Sequence, residues 1–315
     1  MTQGEAERTA SDIGIVIVTY NSGREIGACL DAALRTGAEI VVVDNASTDN
    51  TIAEIARRGV KLIANSTNRG FASAVNQGIS VLNSTYVLLL NPDAVIITDL
   101  EALRDACDLP EAAAAGGKLL DASGRPQIGF MARQLPTATT LALEALLLNR
   151  ICPNNTVNRR YRGLNWNYDV RFEVQQPAGA FLMIRTAVWQ ELGGFDESFH
   201  PLWFEDVDFC RRVVDRGYRL YYEPRAVAKH TGAHSMSSLA VERRRIYWYR
   251  SLLKYSAKHF RPRGFRGVCL AVAAGSVLRM IAETVVERRF QPIAVNASVV
   301  RLASRCFWFG SESMR

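Results

Sequence analysis

No two cysteines of this 315-residue chain stand at Cys-x-x-Cys spacing, no Gly-x-Gly-x-x-Gly follows its first strand-like run, and no segment repeats. The six cysteines, Cys29, Cys107, Cys152, Cys210, Cys269 and Cys306, are scattered, a pattern expected of free thiols in a reducing compartment. The missing glycine pattern removes a dinucleotide-binding reading. Gly116-Gly-Lys118 likewise lacks the remainder of a phosphate loop. Residues 1–11 hold no apolar stretch, so no signal peptide is expected. The longest membrane-like run, residues 267–278 between Arg266 and Arg279, has 12 residues. A bilayer needs about 20, so it is read as too short to cross.

What is present suits a folded globular chain. Hydrophobic residues make up 48% and charged residues 22%, the ordinary globular range. The length allows one large domain or two small ones. The net charge of +7 hides an asymmetry: residues 240–315 hold 15 Lys and Arg against 4 Asp and Glu, whereas residues 1–239 hold 23 against 27. A near-neutral body thus carries a basic C-terminal segment, of the kind that meets nucleic acid, anionic lipid or solvent.

The first third alternates two periodicities. Residues 13–19, 39–43, 60–64 and 85–90 are short apolar runs suited to buried strands, and residues 22–35, 47–58 and 70–82 have helical spacing. Ser47 is the expected N-cap of the second helix and Gly59 its terminator. This alternation implies a parallel sheet with right-handed crossovers, whose ligands bind beyond the strand C-termini. Thr19-Tyr-Asn21, Asp44-Asn45 and Asn91-Pro-Asp93 all fall there and outline one crevice. Later, residues 112–120 and 174–184 are strand-like and residues 186–192 and 206–215 helical. Residues 218–222 and 226–230 read as two short strands, and a helical pattern runs from residue 235.

Between Gly193 and Asp208 acids stand among aromatics: Gly-Gly-Phe-Asp-Glu-Ser-Phe-His-Pro-Leu-Trp-Phe-Glu-Asp-Val-Asp. Carboxylates beside large apolar rings are costly to bury unless paired or used, and such surroundings raise their pKa toward the range of a working base.

Six stretches in this order resemble glycosyltransferase family 2, the nucleotide-sugar-dependent enzymes of GT-A fold. They are Val16-Ile-Val-Thr-Tyr-Asn-Ser, Val42-Val-Asp-Asn-Ala-Ser-Thr-Asp-Asn-Thr, Asn68-Arg-Gly-Phe-Ala-Ser-Ala-Val-Asn, Leu89-Leu-Asn-Pro-Asp-Ala, Gly179-Ala-Phe-Leu-Met-Ile-Arg, and Gly193-Gly-Phe-Asp with Phe204-Glu-Asp-Val-Asp-Phe. The Asn-Pro-Asp and Phe-Glu-Asp-Val-Asp forms, with His230-Thr-Gly-Ala-His234, are similar to the bacterial rhamnosyltransferase branch. The resemblance implies an α/β fold: a Rossmann-like, mostly parallel sheet flanked by helices, with a C-terminal helical extension. The expected boundaries are a flexible N-terminus at 1–11, a GT-A domain at 12–235 and a basic, aromatic helical region at 236–315.

The resemblance also assigns roles. Thr19, Tyr20, Asn21, Asp44, Arg69, Asn91 and Asp93 would hold the nucleotide-sugar, Asp44 by accepting from the imide N–H of a uracil or thymine ring. Asp44 would serve equally as a cap for the following helix, and Arg69 as a solvated loop residue. Asp93 matches the last acid of the Asp-x-Asp metal motif, while Asn91 replaces its first acid. A divalent ion, Mn²⁺ or Mg²⁺, would therefore rest on Asp93, His230 and the donor diphosphate, with an imidazole favouring Mn²⁺. His234 is the neighbouring alternative. Asp206 would be the general base and Glu205 would orient it or the acceptor; Trp203 and Phe204 would stack on the acceptor sugar or pack the core. Acids also favour the first helical turn, which is reason enough for Asp208.

The function so implied is inverting transfer of a sugar, with L-rhamnose from dTDP-L-rhamnose the first choice, to a saccharide or polyprenyl-diphosphate-linked acceptor in cell-wall or surface polysaccharide synthesis. A UDP-sugar donor and a non-catalytic carbohydrate- or membrane-binding relative are the alternatives. In residues 243–263, cations alternate with Tyr247, Trp248, Tyr249, Tyr255 and Phe260, as in an element lying in an anionic leaflet. The expectation is a cytoplasmic protein, peripheral on the inner face of the membrane, with no nucleic-acid partner; a helical cap or homodimer contact is the plainer use of this segment.

Overall fold

The computed structural model of the protein describes residues 12–232, 240–287 and 291–310. Strands β1 (Ile13–Thr19), β2 (Glu39–Asp44), β3 (Lys61–Ala64) and β4 (Tyr86–Leu90) pair in parallel in the order β3-β2-β1-β4. The apolar runs of β1, β2 and β4 are covered on both faces, so Ile15, Ile17, Val41, Val42, Val43 and Leu88 are fully buried, while β3 at the edge is only partly covered. Helices α1 (Ile26–Leu34), α2 (Thr51–Ala56) and α3 (Phe71–Ser80) form the crossovers. A Cβ on Gly78 of α3 would lie 2.6 Å from Val16 Cγ1, so a bare glycine is what lets this helix seat on β1.

Along the chain follow β5 (Ala94–Ile96), α4 (Glu101–Cys107), β6 (Ala112–Leu120), β7 (Ala132–Arg133) and the short helices α5 (Ala138–Ala145), α6 (Leu148–Ile151) and α7 (Thr156–Tyr161). Next come β8 (Phe172–Val174), β9 (Gln176–Pro177), β10 (Phe181–Arg185), α8 (Thr186–Glu191), α9 (Glu205–Asp215) and β11 (Arg219–His230). Three long helices end the chain: α10 (Val241–His259), α11 (Pro262–Glu287) and α12 (Gln291–Phe309). The sheet continues β4-β10-β6-β11-β5, with β8 on β11. Here it becomes mixed: β10 is antiparallel to β4 and β6, and β11 is parallel to β6 but antiparallel to β5 and β8. The expected parallel character thus belongs to the N-terminal half. The two expected strands at 218–222 and 226–230 are one, with its register against β6 shifted between Glu223 and Val227.

The chain divides into two compact units. One holds residues 12–134, 166–201 and 205–232; the other holds 135–165, 202–204, 240–287 and 291–310. Residues 135–165 therefore group with the C-terminal helices. In that second unit, Arg266 lies 5.9 Å from the Phe307 ring and Asn296 donates to Glu283, which makes α11 and α12 antiparallel. A Cβ on Gly275 would meet Ala145 O at 2.0 Å, so α11 presses directly on the end of α5.

Two sequence expectations change here. Tyr249, Leu252, Leu253 and Tyr255 of α10 are buried and Tyr247 and Trp248 are half-buried, so no aromatic ring of that helix stands fully exposed as one lying in a leaflet would. The run at 267–278 belongs to a single longer helix, of which Pro262–Thr284 is long and apolar enough by length and composition to cross a membrane. The bounding residue Arg279 does not stop this helix, because an arginine is a good helix former.

Candidate active site

The C-terminal ends of β1 and β2 are knitted together by side chains. Thr19 Oγ1 and Ser47 Oγ both donate to Asp44 Oδ1, at 2.8 and 2.5 Å, and the Ser47 N–H donates to Asp44 Oδ2 at 2.9 Å. Asn21, at φ 51°, donates its N–H to Ser47 Oγ and accepts from the Thr48 N–H. Ser47 is thus a loop clamp and not a helix cap; α2 begins at Thr51, whose N–H donates to Asp49 Oδ1. Asp44 is fully buried, so its visible work is to hold this loop, the local role set beside base recognition. Tyr20 is half-buried at the rim. Arg69 is exposed, and its N–H donates to Asn45 Oδ1, while Asn45 Nδ2 donates to Gly70 O.

A second cluster forms where β4 and β11 end. The Asn91-Pro-Asp93 turn is fixed because the Asn91 N–H donates to Ala180 O and the Thr231 N–H donates to Asp93 O. Asp93 Oδ1 lies 3.5 Å from His230 Nε2, and both side chains are buried. The His230 Nδ1 is 3.0 Å from Gln127 Oε1, while Gln127 Nε2 donates to the His230 carbonyl at 2.7 Å. Asn91 Nδ2 stands 3.3 Å from His230 Nε2. Gln127 thus accepts and Asn91 donates, and both demands are met by the imidazole carrying its proton on Nδ1 with a lone pair on Nε2. Burial holds this imidazole below its ordinary pKa, against the charge of Asp93. Phe130 stacks on the ring at 5.3 Å.

The third group is the acid pair at the start of α9. Glu205 is buried, its Oε2 has no hydrogen-bond partner, and burial pushes its pKa well above the carboxylate range, with the charge of Asp206 adding to the effect. Burial raises Asp206 as well, but the Val207 N–H, the Arg133 guanidinium and the Gly179 N–H favour its charged form. Both carboxyls are thus pushed toward the neutral form, Glu205 the more strongly, and only Asp206 has groups beside it that favour its charge, the kind of asymmetry that divides acid from base. Gly179 faces Asp206 closely, since a Cβ there would sit 3.4 Å from Asp206 Cβ. The same loop supplies the Ala180 carbonyl that fixes Asn91. Arg133 lies over the Phe130 ring at 5.6 Å and its charge acts on Asp206, so the acid pair, His230 and Asp93 share one neighbourhood.

Other members of the acid run are structural. Asp208 is fully buried and accepts from Arg212 Nε at 2.9 Å, and Arg212 also donates to the Leu192 and Gly194 carbonyls. That fork fastens Gly193-Gly194, both in the left-handed region. Trp203 and Phe204 are bulky residues at φ 76° and 70°, a strained backbone immediately before the acid pair. The Phe204 ring packs against Tyr255 and Trp248 within the second unit, which is the core alternative for this residue. His234 lies outside the described residues. Sequence reading missed Gln127, Phe130 and Arg133; the one local signal was an arginine inside the apolar run that ends in β7.

Glu205 gives a pH prediction. The folded chain retains a proton that the unfolded chain releases above about pH 4.3, the ordinary glutamate pKa. Stability contributed by this group is therefore complete below that value and falls as pH rises toward the folded pKa, at up to about 1.4 kcal/mol per pH unit. Glu205→Gln removes the dependence. Urea unfolding at pH 5 and pH 8 should show a smaller midpoint difference in the variant; equal differences would contradict a buried neutral Glu205.

The donor set fits a divalent cation only in part from the protein. Among the described residues no group of three or more His, Cys, Asp or Glu is placed to hold a metal ion. Asp93 and the Nε2 lone pair of His230 supply two donors, one oxygen and one nitrogen. The Gln127 clamp is the kind of outer contact that orients a ligating histidine. Diphosphate oxygens and water would complete such a shell.

The profile of Glycosyl transferase family 2 matches residues 14–184, just over half of the chain. The chain belongs to that family. Its reaction class is accordingly the transfer of a sugar. This transferase is similar to the N-acetylglucosaminyl-diphospho-decaprenol L-rhamnosyltransferase of Mycobacterium tuberculosis, 28% identical over 276 residues that cover 78% of this chain and 88% of that one. It is also similar to a low-salt glycan biosynthesis hexosyltransferase of Haloferax volcanii, 26% identical over 64% of this chain and 61% of that one. Among solved structures, the mannosyltransferase of Pyrobaculum calidifontis in complex with GDP-Man and Mn²⁺ superposes with a TM-score of 0.52 at 17% identity, covering 96% of this chain and 84% of that one. GalNAc-T7 with UDP, GalNAc and Mn²⁺ gives 0.56 at 14% identity, covering 78% and 47%. These likenesses establish the GT-A fold.

Proposed function

We propose that this transferase moves L-rhamnose from dTDP-L-rhamnose onto a polyprenyl-diphosphate-linked saccharide in cell-wall polysaccharide synthesis, at the inner face of the membrane. The observation that carries the chemistry is the buried acid pair at the head of α9, in which Asp206 accepts from the Val207 N–H and lies against Gly179 while Glu205 Oε2 has no partner. The donor and acceptor follow from the mycobacterial relative, whose name specifies rhamnosyl transfer to a decaprenol-linked sugar.

In this reading Asp206 accepts the proton of the acceptor hydroxyl as that oxygen bonds to the anomeric carbon and the bond to the diphosphate breaks. A single displacement of this kind inverts the anomeric centre. The Val207 N–H, Arg133 and the Gly179 N–H favour the charged form of Asp206 against the burial that raises it, which leaves a carboxylate of increased basicity. Glu205, whose burial favours the protonated form and whose Oε2 has no other partner, donates its O–H in a hydrogen bond that orients the acceptor. Thr19, Tyr20, Asn21 and Arg69 border the nucleotide, with Asp44 holding the loop they rest on. Asp93 and His230 would hold Mn²⁺ or Mg²⁺, which when bound neutralises charge on the departing diphosphate.

The test offers the purified protein, with Mn²⁺, dTDP-rhamnose, UDP-glucose, UDP-galactose and UDP-N-acetylglucosamine, and follows saturable binding and slow hydrolysis. Tightest binding of dTDP-rhamnose is expected. A tighter UDP-sugar replaces the donor; binding of none refutes the transferase assignment of this site.

A further inference from the structure

Six large apolar side chains stand in solvent on the last two helices: Leu270 at 57%, Val277 at 37%, Leu278 at 55% and Ile281 at 56% exposure on α11, and Trp308 at 74% and Phe309 at 73% on α12. Single exposed hydrophobes are ordinary, but a contiguous set is not. At 100° per residue the four on α11 fall within about 100° of arc, and the exposed Arg263 and Arg266 continue the same stripe toward its N-terminus. From Arg263 to Ile281 the stripe runs about 27 Å. Because α12 is antiparallel, its aromatic end lies beside the cationic end of α11, and Pro262, Phe265, Arg266, Cys306, Phe307 and Trp308 border one shallow apolar cleft there. Arg301 and Arg305 add exposed cations to α12. Residues 262–282 and 293–310 contain no Asp or Glu at all.

We infer that this face of α11 and α12 docks the protein on an anionic bilayer surface, lying in the headgroup region and not spanning it. The pattern is an apolar stripe with arginines at its margin and a tryptophan at its rim, which suits an interfacial helix. A spanning α11 is disfavoured by its other face: Val268, Cys269, Val272 and Ser276 are buried, and Gly275 sits against the Ala145 carbonyl. Crossing a membrane would require that packing to come apart. A second copy docking through the same face would offer its arginines no carboxylate to pair with, whereas an anionic surface complements them. The inference gives the lipid-linked acceptor reading its surface, yet its test uses neither donor nor acceptor.

The full chain is sedimented with vesicles of phosphatidylcholine plus phosphatidylglycerol and with phosphatidylcholine alone. Binding to the anionic vesicles, weakened by salt, is expected. Leu270→Glu with Ile281→Glu should weaken it at least about tenfold, because each places a charge in the apolar stripe. Trp308 provides an independent measurement should that pair fail to fold. Brominated lipid in the anionic vesicles should quench tryptophan emission in the native chain, and Trp308→Phe should remove most of that quench. Unchanged vesicle binding in the double variant, or quenching indifferent to Trp308, overturns the inference. So does a solution dimer that the same substitutions convert to monomer, which would assign the face to a second copy.

Discussion

Asp206→Asn is expected to lower sugar transfer by about 10³-fold while leaving the dissociation constant for dTDP-rhamnose within about twofold. Positioned proton transfer contributes about 10²- to 10⁴-fold, and an amide of the same shape retains the geometry without the base. The substitution is nearly isosteric at a site fixed by backbone contacts from Val207 and Gly179, so folding should survive it. Glu205→Gln provides the contrast. It supplies a neutral donor of similar size at a position where burial favours the neutral carboxyl, and it should cost far less in turnover. The pH profile of kcat sharpens the distinction. Burial raises Asp206 above an ordinary aspartate, so the acid limb of the profile should be displaced upward of the usual aspartate range and vanish in Asp206→Asn. Equal losses from the two substitutions would mean that the pair acts as one structural unit, and retained activity in Asp206→Asn would sink the base assignment.

How far the sequence foretold this molecule depends on where each residue finds its partners. Strands β1 and β6 were legible to the residue, because a central strand is covered on both faces and shows as a mostly apolar run, even with Lys118 inside β6. The three polar clusters at strand ends were legible for the same reason, since topology alone places them on one edge. The bend in β11 was not: the polar stretch from Glu223 to Arg225 looks like a turn, yet Glu223 is buried between Arg171 and Arg225 and the strand runs on. Gln127, Phe130 and Arg133 act on residues 73 to 103 positions away, across contacts that no local pattern encodes. The aromatic helix α10 misled in the opposite direction. Its alternation of cations and rings is shared by an interfacial helix and by a buried one with solvated arginine heads, and only packing separates them. The exposed apolar stripe turned out to lie on α11 and α12 instead.

His230→Gln and Asp93→Asn should each weaken Mn²⁺ binding in the presence of dTDP by well over tenfold, and transfer should fall with it. The two residues share one position in space, with His230 Nε2 3.5 Å from Asp93 Oδ1, so loss of either leaves a single protein donor to the ion. Gln127→Leu extends the series to a residue that would touch no cation. Its amide fixes the His230 proton on Nδ1 and its carbonyl in place, and outer contacts of this kind are worth about ten- to a hundredfold in metal affinity. Leucine fills similar volume without either bond, so the ring is freed while the packing against Phe130 persists. Electron paramagnetic resonance of Mn²⁺ titrated into protein and dTDP reads the affinity directly, apart from turnover. The expected order is native, then Gln127→Leu, then the two ligand variants. If Asp93→Asn and His230→Gln bind Mn²⁺ as the native chain does, the ion rests elsewhere and Asn91-Pro-Asp93 is only the turn that ends β4. If Gln127→Leu alone matches the native chain, the imidazole needs no clamp, and burial beside Asp93 suffices to present Nε2.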